Sequence, residues 1–74
     1  TFRRAFVSEG WDRVRGFAIE VPDGNGGWRA VFTGGRIPSE GAICRFGSVT
    51  ASTVRLHILE APGGPTIWDF EVYP

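Results

Sequence analysis

Apolar and polar residues alternate along most of this chain, and no stretch shows the period of a helix. Phe17, Ile19 and Val21 share one side of an extended run, while Ala18 and Glu20 take the other side. Because successive side chains of a strand point to opposite faces, this pattern predicts a β-strand whose faces meet different surroundings. The same reasoning predicts six strands, over residues 2–8, 14–21, 28–33, 42–46, 53–60 and 66–73.

Glycine and proline separate the predicted strands. The segment PDGNGG, residues 22–27, joins a proline to residues that readily adopt positive φ, which predicts a tight hairpin. The segment APGGP, residues 61–65, marks another connection. Short strands at regular spacing, without an internal repeat or a linker, predict one all-β domain over residues 1–74, built as an antiparallel sandwich or barrel.

The small size of the chain limits the core that it can build. With 74 residues, the entropy cost of about 1.5 kcal/mol per ordered residue nearly cancels the gain from burial. Cys44 is the sole cysteine, so no internal disulfide can form, and the single histidine, His57, cannot complete a Cys/His zinc site. We therefore expect the core to be supported by something outside this segment, and we expect no metal or cofactor within it.

The charge balance gives no reason to expect a strongly charged partner. Eight arginines balance eight carboxylates, and lysine is absent. Neither nucleic acid nor a membrane is therefore an expected partner, and no apolar run reaches the roughly 18 residues that span a bilayer. A small barrel that binds single-stranded nucleic acid is a rival hypothesis, which the outward acids Glu20, Glu60 and Glu71 argue against.

Five segments occur in an order that is typical of one family. They are FRRAFVSEG (2–10), RVRGFAIEV (13–21), DGNGGWRAV (23–31), CRFGSVTASTVRLHI (44–58) and PTIWDFEVY (65–73). Together they resemble the galactose-binding-like β-sandwich, also called the discoidin or factor 5/8 type C fold, in the version appended to α-L-fucosidases. The family domain is longer and begins with further strands, so the resemblance covers its second half. It implies an antiparallel jelly roll, present here as a partial domain of about six strands.

The resemblance also implies a function. Fucosidases of this kind carry their catalytic carboxylates on a separate barrel, so this segment is expected to be a non-catalytic accessory module of a secreted or periplasmic glycoside hydrolase. Its expected partners are a fucose- or galactose-containing glycan and either the catalytic domain or the remaining half of the sandwich. The alternative is a purely structural or protein-interaction β module that binds no sugar.

Candidate sugar-binding residues cluster in the loop SEGWDR, between the first two predicted strands. Sugar sites combine an aromatic ring, which stacks on a pyranose, with charged groups that bond its hydroxyls. Glu9, Trp11 and Arg13 are the first candidates, and Trp68 is a fourth if Ile67 points inward. The alternative roles are structural, with Trp11 covering one end of the sandwich or another domain, and Trp68 packing in a core or interface.

The remaining conspicuous residues are predicted to be structural. Cys44 lies on an apolar alternating face and is predicted to be buried rather than catalytic, and Trp28 is predicted to lie in the core. His57 is predicted to be solvated or hydrogen-bonded to a neighbour. The segment DGNG, residues 23–26, lacks the spacing of a calcium-binding EF-hand loop and is predicted to be a turn.

Overall fold

The chain folds into six β-strands without a helix, as the alternation predicts. A computed structural model describes all residues, Thr1–Pro74. Its strands are β1 (Phe2–Glu9), β2 (Gly16–Pro22), β3 (Trp28–Gly34), β4 (Ala42–Val49), β5 (Arg55–Glu60) and β6 (Ile67–Tyr73). The predicted bounds differ from these most at β4, which continues to Val49.

The strands form two three-stranded antiparallel sheets, in the orders β4-β1-β6 and β3-β2-β5. The sheets share one core, so the arrangement is sandwich-like, with β3 and β4 in contact where the two sheets meet. The buried residues of the main cluster come from both sheets and from two loops, and are Ala5, Val7, Val14, Phe17, Ile19, Ile37 and Cys44. A smaller, separate cluster contains Phe2, Val21 and Val49.

The sandwich leaves part of its apolar interior uncovered. β3, β4, β5 and β6 each end a sheet and therefore each have one unpaired edge. Val72 of β6 lies opposite the fully buried Ala5 and shares its face, yet 39% of Val72 is exposed. The core is thus not closed along β6.

The predicted hairpin between β2 and β3 is confirmed. Asp23 organises the turn, because its Oδ1 accepts hydrogen bonds from the backbone N–H of Asn25 at 2.7 Å and of Gly27 at 3.1 Å. Gly24 and Gly26 adopt φ of 88° and 86°, the left-handed region that favours glycine. The residues that superficially suggest calcium binding thus form a turn.

The prediction that Trp28 lies in the core is wrong, and a β-bulge explains why. Phe32 lies opposite the buried Ile19, but the register then shifts, so that Ala30 rather than Val31 lies opposite Glu20. The extra residue reverses the alternation, and Trp28 falls on the outer face of its sheet. Its ring there lies beneath the guanidinium of Arg55, 4.2 Å from the ring centroid.

Cys44 and His57 lie where the sequence predicts. Cys44 is fully buried, and burial raises the pKa of its thiol. His57 is half exposed, with Nδ1 3.4 Å from Oε2 of Glu20, which also forms an ion pair with Arg55 at 2.6 Å. Desolvation raises the pKa of Glu20, but the hydrogen bonds from Arg55 and His57 outweigh it and hold that pKa below its usual value.

Three loops meet at one end of the sandwich, which we call the loop end: residues 10–15, 35–41 and 61–66. Each connects one sheet to the other. A backbone hydrogen bond joins the first loop to the third, from Gly10 N to the Thr66 carbonyl at 2.9 Å. The loop end therefore brings together residues that lie far apart in the sequence.

Candidate functional site

The loop end contains a cleft of about 390 Å³, lined by the end of β1, by the loops 10–15 and 35–41, and by Trp68 of β6. Pockets that bind small ligands are commonly about 300–1,000 Å³, so a single sugar ring is within its capacity. Its lining mixes aromatic, apolar and acidic side chains, with contributions from Glu9, Trp11, Asp12, Ile37, Ser39 and Trp68. We call this the loop-end cleft.

Glu9, the last residue of β1, contributes a buried carboxylate to the cleft. Only 6% of the residue is exposed. Its Oε1 accepts a hydrogen bond of 2.8 Å from the backbone N–H of Val14, which fixes the loop that follows. Its Oε2 is buried without a hydrogen-bond partner. Nearly all buried polar atoms in proteins have a hydrogen-bond partner, so this oxygen is an exception. It is an acceptor without a donor, next to the cleft.

Two tryptophans expose most of their surface at the cleft, with 66% of Trp11 and 69% of Trp68 accessible. Trp68 points outward because a register shift between β1 and β6 leaves it as an extra residue, between Ile67 and Asp69. Its indole lies against Gly10, where an added Cβ would stand 2.8 Å from Nε1. The absence of a side chain at Gly10 thus sets the position of the Trp68 ring.

An ion pair anchors the loop that carries Trp11. Asp12 adopts a positive φ of 51°, and its two carboxylate oxygens accept hydrogen bonds from Nε and Nη2 of Arg36, each at 2.7 Å. These bonds hold the pKa of Asp12 below its usual value. Arg15 adds a hydrogen bond of 2.8 Å from Nη1 to the Asp12 carbonyl. The loop is therefore held in one arrangement before any ligand arrives.

Three of the four predicted site residues, Glu9, Trp11 and Trp68, line the cleft together. Arg13 does not: it points toward the third loop, and its Nη1 donates a hydrogen bond of 3.0 Å to the Gly64 carbonyl. Arg13 therefore does not line the cleft with Glu9 and Trp11.

Sequence reasoning missed the contribution of the loop 35–41. Ile37 is fully buried beneath the cleft, Ser39 stands at its rim, and Arg36 anchors the opposite loop through Asp12. No local pattern marks these residues, because they reach the cleft only through the crossing of the chain from β3 to β4. The Asp12–Arg36 pair joins positions too distant in sequence for any motif to reveal.

Gly10→Ala is expected to displace the Trp68 indole, because the new Cβ would lie 2.8 Å from Nε1 and 3.0 Å from Cε2. Trp68 is mostly exposed and can rotate away, so the free energy of unfolding should change by less than about 1 kcal/mol. The measurement is the NMR shift of the Trp68 indole N–H. Gly64→Ala is the control, since nothing lies within 4 Å of its added Cβ. Equal shifts in the two variants would contradict the contact.

Another depression, of about 250 Å³, lies on the outer face of the β4-β1-β6 sheet. It is lined by Phe6, Ile43 and Tyr73, but the guanidinium of Arg4 lies 5.1 Å from the centroid of the Tyr73 ring. That ring face is thus already occupied, and no buried polar atom there lacks a partner. The loop-end cleft is the better candidate for a binding site.

No three His, Cys, Asp or Glu side chains converge in a way that could hold a metal ion. The chain also contains no helix of the length and hydropathy needed to cross a membrane. Comparison of the chain with protein-family models, curated proteins and solved structures finds no match.

Proposed function

We propose that this chain is a non-catalytic accessory module that binds a glycan in the loop-end cleft. The observation that carries the proposal is the pairing of two exposed tryptophans with a buried, partly unpaired carboxylate, Glu9, in one cleft. Tryptophan offers a flat apolar surface to the C–H face of a pyranose, and a carboxylate accepts hydrogen bonds from its hydroxyls. Because such a site makes few contacts with the sugar, we expect the sugar to bind with a dissociation constant in the millimolar range.

The state of the carboxylates supports binding rather than hydrolysis. Glycoside hydrolysis needs two carboxylates placed on either side of the bond that breaks. Both oxygens of Asp12 are bonded to Arg36, and one oxygen of Glu9 is bonded to the Val14 N–H. Asp12 is therefore not available as a nucleophile or base, and we propose that the chain itself is not an enzyme.

We propose further that the chain is part of a larger protein. Its fold would be the second half of a galactose-binding-like jelly roll, joined to an α-L-fucosidase-like hydrolase that is secreted or periplasmic. Its partners are a fucose- or galactose-containing glycan and the catalytic domain or the remaining strands of the sandwich. The uncovered interior beside Val72 supports a further packing partner, and the balanced charge supports neither nucleic acid nor membrane.

A specific observation favours the alternative, a structural or protein-interaction module. Leu59 and Val72 are exposed apolar residues on β5 and β6, and both strands have unpaired edges. Exposed apolar surface beside a free strand edge is suited to pairing with another polypeptide. In this alternative the tryptophans also contact protein, and no sugar perturbs them.

Titration of the folded 74-residue chain with galactose and fucose tests the proposal. We expect millimolar sugar to shift the indole N–H signals of Trp11 and Trp68 and to leave that of Trp28 unchanged. Trp11→Ala or Trp68→Ala should weaken binding by roughly 30-fold, the effect of truncating a tryptophan that anchors a ligand. Trp28→Ala, a matched change on the outer face of the β3-β2-β5 sheet, should leave the affinity unchanged.

The outcomes separate the two functions. If neither sugar shifts the Trp11 or Trp68 signals in a sample that is folded by circular dichroism, the glycan-binding proposal is wrong. If Trp28→Ala weakens binding as much as Trp68→Ala, the sugar is bound somewhere other than the loop-end cleft.

A further inference from the structure

The carboxylate of Glu9 is buried without a positive partner. The ion pairs of the chain join Asp12 to Arg15 and Arg36, and Glu20 to Arg55 and His57. Glu9 takes part in none of them, and its one hydrogen bond comes from the neutral backbone N–H of Val14. A buried negative charge of this kind is unfavourable unless a positive group lies near it.

The loop-end cleft is the place from which such a group could approach. Glu9 lines the cleft, and the charge of the nearest acid in the lining, Asp12, is already balanced by Arg36. Trp11 and Trp68 border the same cleft with most of their ring surface free. Indole faces attract ammonium groups through their quadrupole, so the rings and the carboxylate favour the same kind of ligand.

Direct contact with Oε2 is not required for this selection. The oxygen is shielded from solvent, and a charge just beneath the surface still attracts an ammonium group a few ångströms away. A neutral hydroxyl at the same place gains only a dipole interaction. An amine placed next to Glu9 should therefore be favoured over a hydroxyl.

We propose that the loop-end cleft selects sugars that carry a free, protonated amino group over neutral and N-acetylated sugars. The ammonium lies beside Glu9, and the apolar face of the ring packs on Trp11 or Trp68. This inference rests on the proposed glycan-binding function and names the class of sugar that the same site prefers. It assigns Glu9 the role of selecting charge and the tryptophans the role of holding the ring.

The test compares galactosamine, galactose and N-acetylgalactosamine by NMR titration of the 74-residue chain. At about pH 6 the free amine is protonated, and the other two sugars are neutral. We expect galactosamine to bind about tenfold more tightly than either neutral sugar. Equal affinities for the three sugars would overturn the charge selection and leave glycan binding intact, whereas binding of none would overturn glycan binding itself.

Glu9→Gln removes the charge and keeps an oxygen that can accept from the Val14 N–H. We expect this variant to bind galactosamine no more tightly than galactose, so that the preference for the amino sugar is lost. Glu40→Gln is the matched control, because Glu40 is an exposed acid on the loop 35–41 that does not line the cleft, and it should keep the preference. A preference that survives Glu9→Gln would overturn the assignment of Glu9.

A simple amine separates a sugar site from a general cation site. Methylammonium carries the charge without the ring, so it should bind at least about tenfold more weakly than galactosamine. If the two bind equally well, the cleft recognises cations alone and the amino-sugar proposal is wrong. Comparison of the three sugars needs no variant, so this test stands even if Glu9→Gln fails to fold.

Discussion

Phe17→Ala is expected to lower the free energy of unfolding by about 3–5 kcal/mol, the usual effect of removing a buried aromatic ring. Phe17 is fully buried in the central strand β2, and its ring packs beside Phe32, with centroids 6.0 Å apart. It also covers Gly34, where an added Cβ would lie 2.6 Å from the ring, and Gly34 has no side chain with which to fill the space. A domain of this size has about 4–11 kcal/mol of stability in all, so a large share of it would be lost.

Urea unfolding followed by circular dichroism measures this loss. Phe32→Ala is the matched control, since it removes the same atoms from a ring that is only half-buried. Its cost should be about half as large, because less apolar area is returned to water. Equal losses in the two variants would show that the core is not centred on Phe17.

Gly41→Ala is expected to lower the free energy of unfolding by about 2–4 kcal/mol, through two separate effects. Gly41 adopts φ of 94°, a conformation that a residue with a Cβ rarely adopts. The added Cβ would also lie 2.4 Å from Cζ of Phe6 and 3.3 Å from the Val7 carbonyl oxygen. The Val7 carbonyl cannot yield easily, because β1 is hydrogen-bonded on both sides.

Thermal or urea unfolding of Gly47→Ala provides the comparison. Gly47 lies in β4, has no atom within 4 Å of an added Cβ, and has no positive φ. The same substitution there should change stability by no more than about 0.5 kcal/mol. If Gly41→Ala is equally mild, the turn that brings Ser39 to the cleft is less constrained than its geometry indicates.

The strands and the hairpin could be predicted from the sequence because they depend on local rules. Alternation of Phe17, Ile19 and Val21 with polar or small residues requires an extended chain with one buried face. The turn at Asp23–Gly27 depends on glycines and on one aspartate side chain. Such features need no knowledge of what packs against them.

The outer positions of Trp28 and Trp68 depend on β-bulges, which no local sequence pattern predicts. One extra residue in β3 turns Trp28 outward, away from the core in which it is predicted to lie. Another in β6 left Trp68 at the cleft. A bulge is decided by the fit of two strands, so the sequence of either strand alone does not reveal it.

The cleft could be predicted only in part, because its residues come together through the pairing of strands. Glu9 and Trp11 drew attention because their residue types, within one short loop, suit sugar recognition. The pairing of Glu9 with Ile67 then brings Trp68 beside them, which only the order of strands in the sheet could establish. Arg13 is a candidate for the same reason, but its hydrogen bond to the Gly64 carbonyl directs it away from the cleft.

The position of β1 at the centre of its sheet has a consequence for how the protein is made. Ala5 pairs with Cys44 on one side and with Val72 on the other, so the sheet around β1 is complete only after β6, the last of the six strands, has been synthesised. Contacts between residues so distant in sequence slow folding, because long stretches of chain must be ordered at once. Until synthesis reaches β6, the apolar side chains of β1 remain open to chaperones and to aggregation.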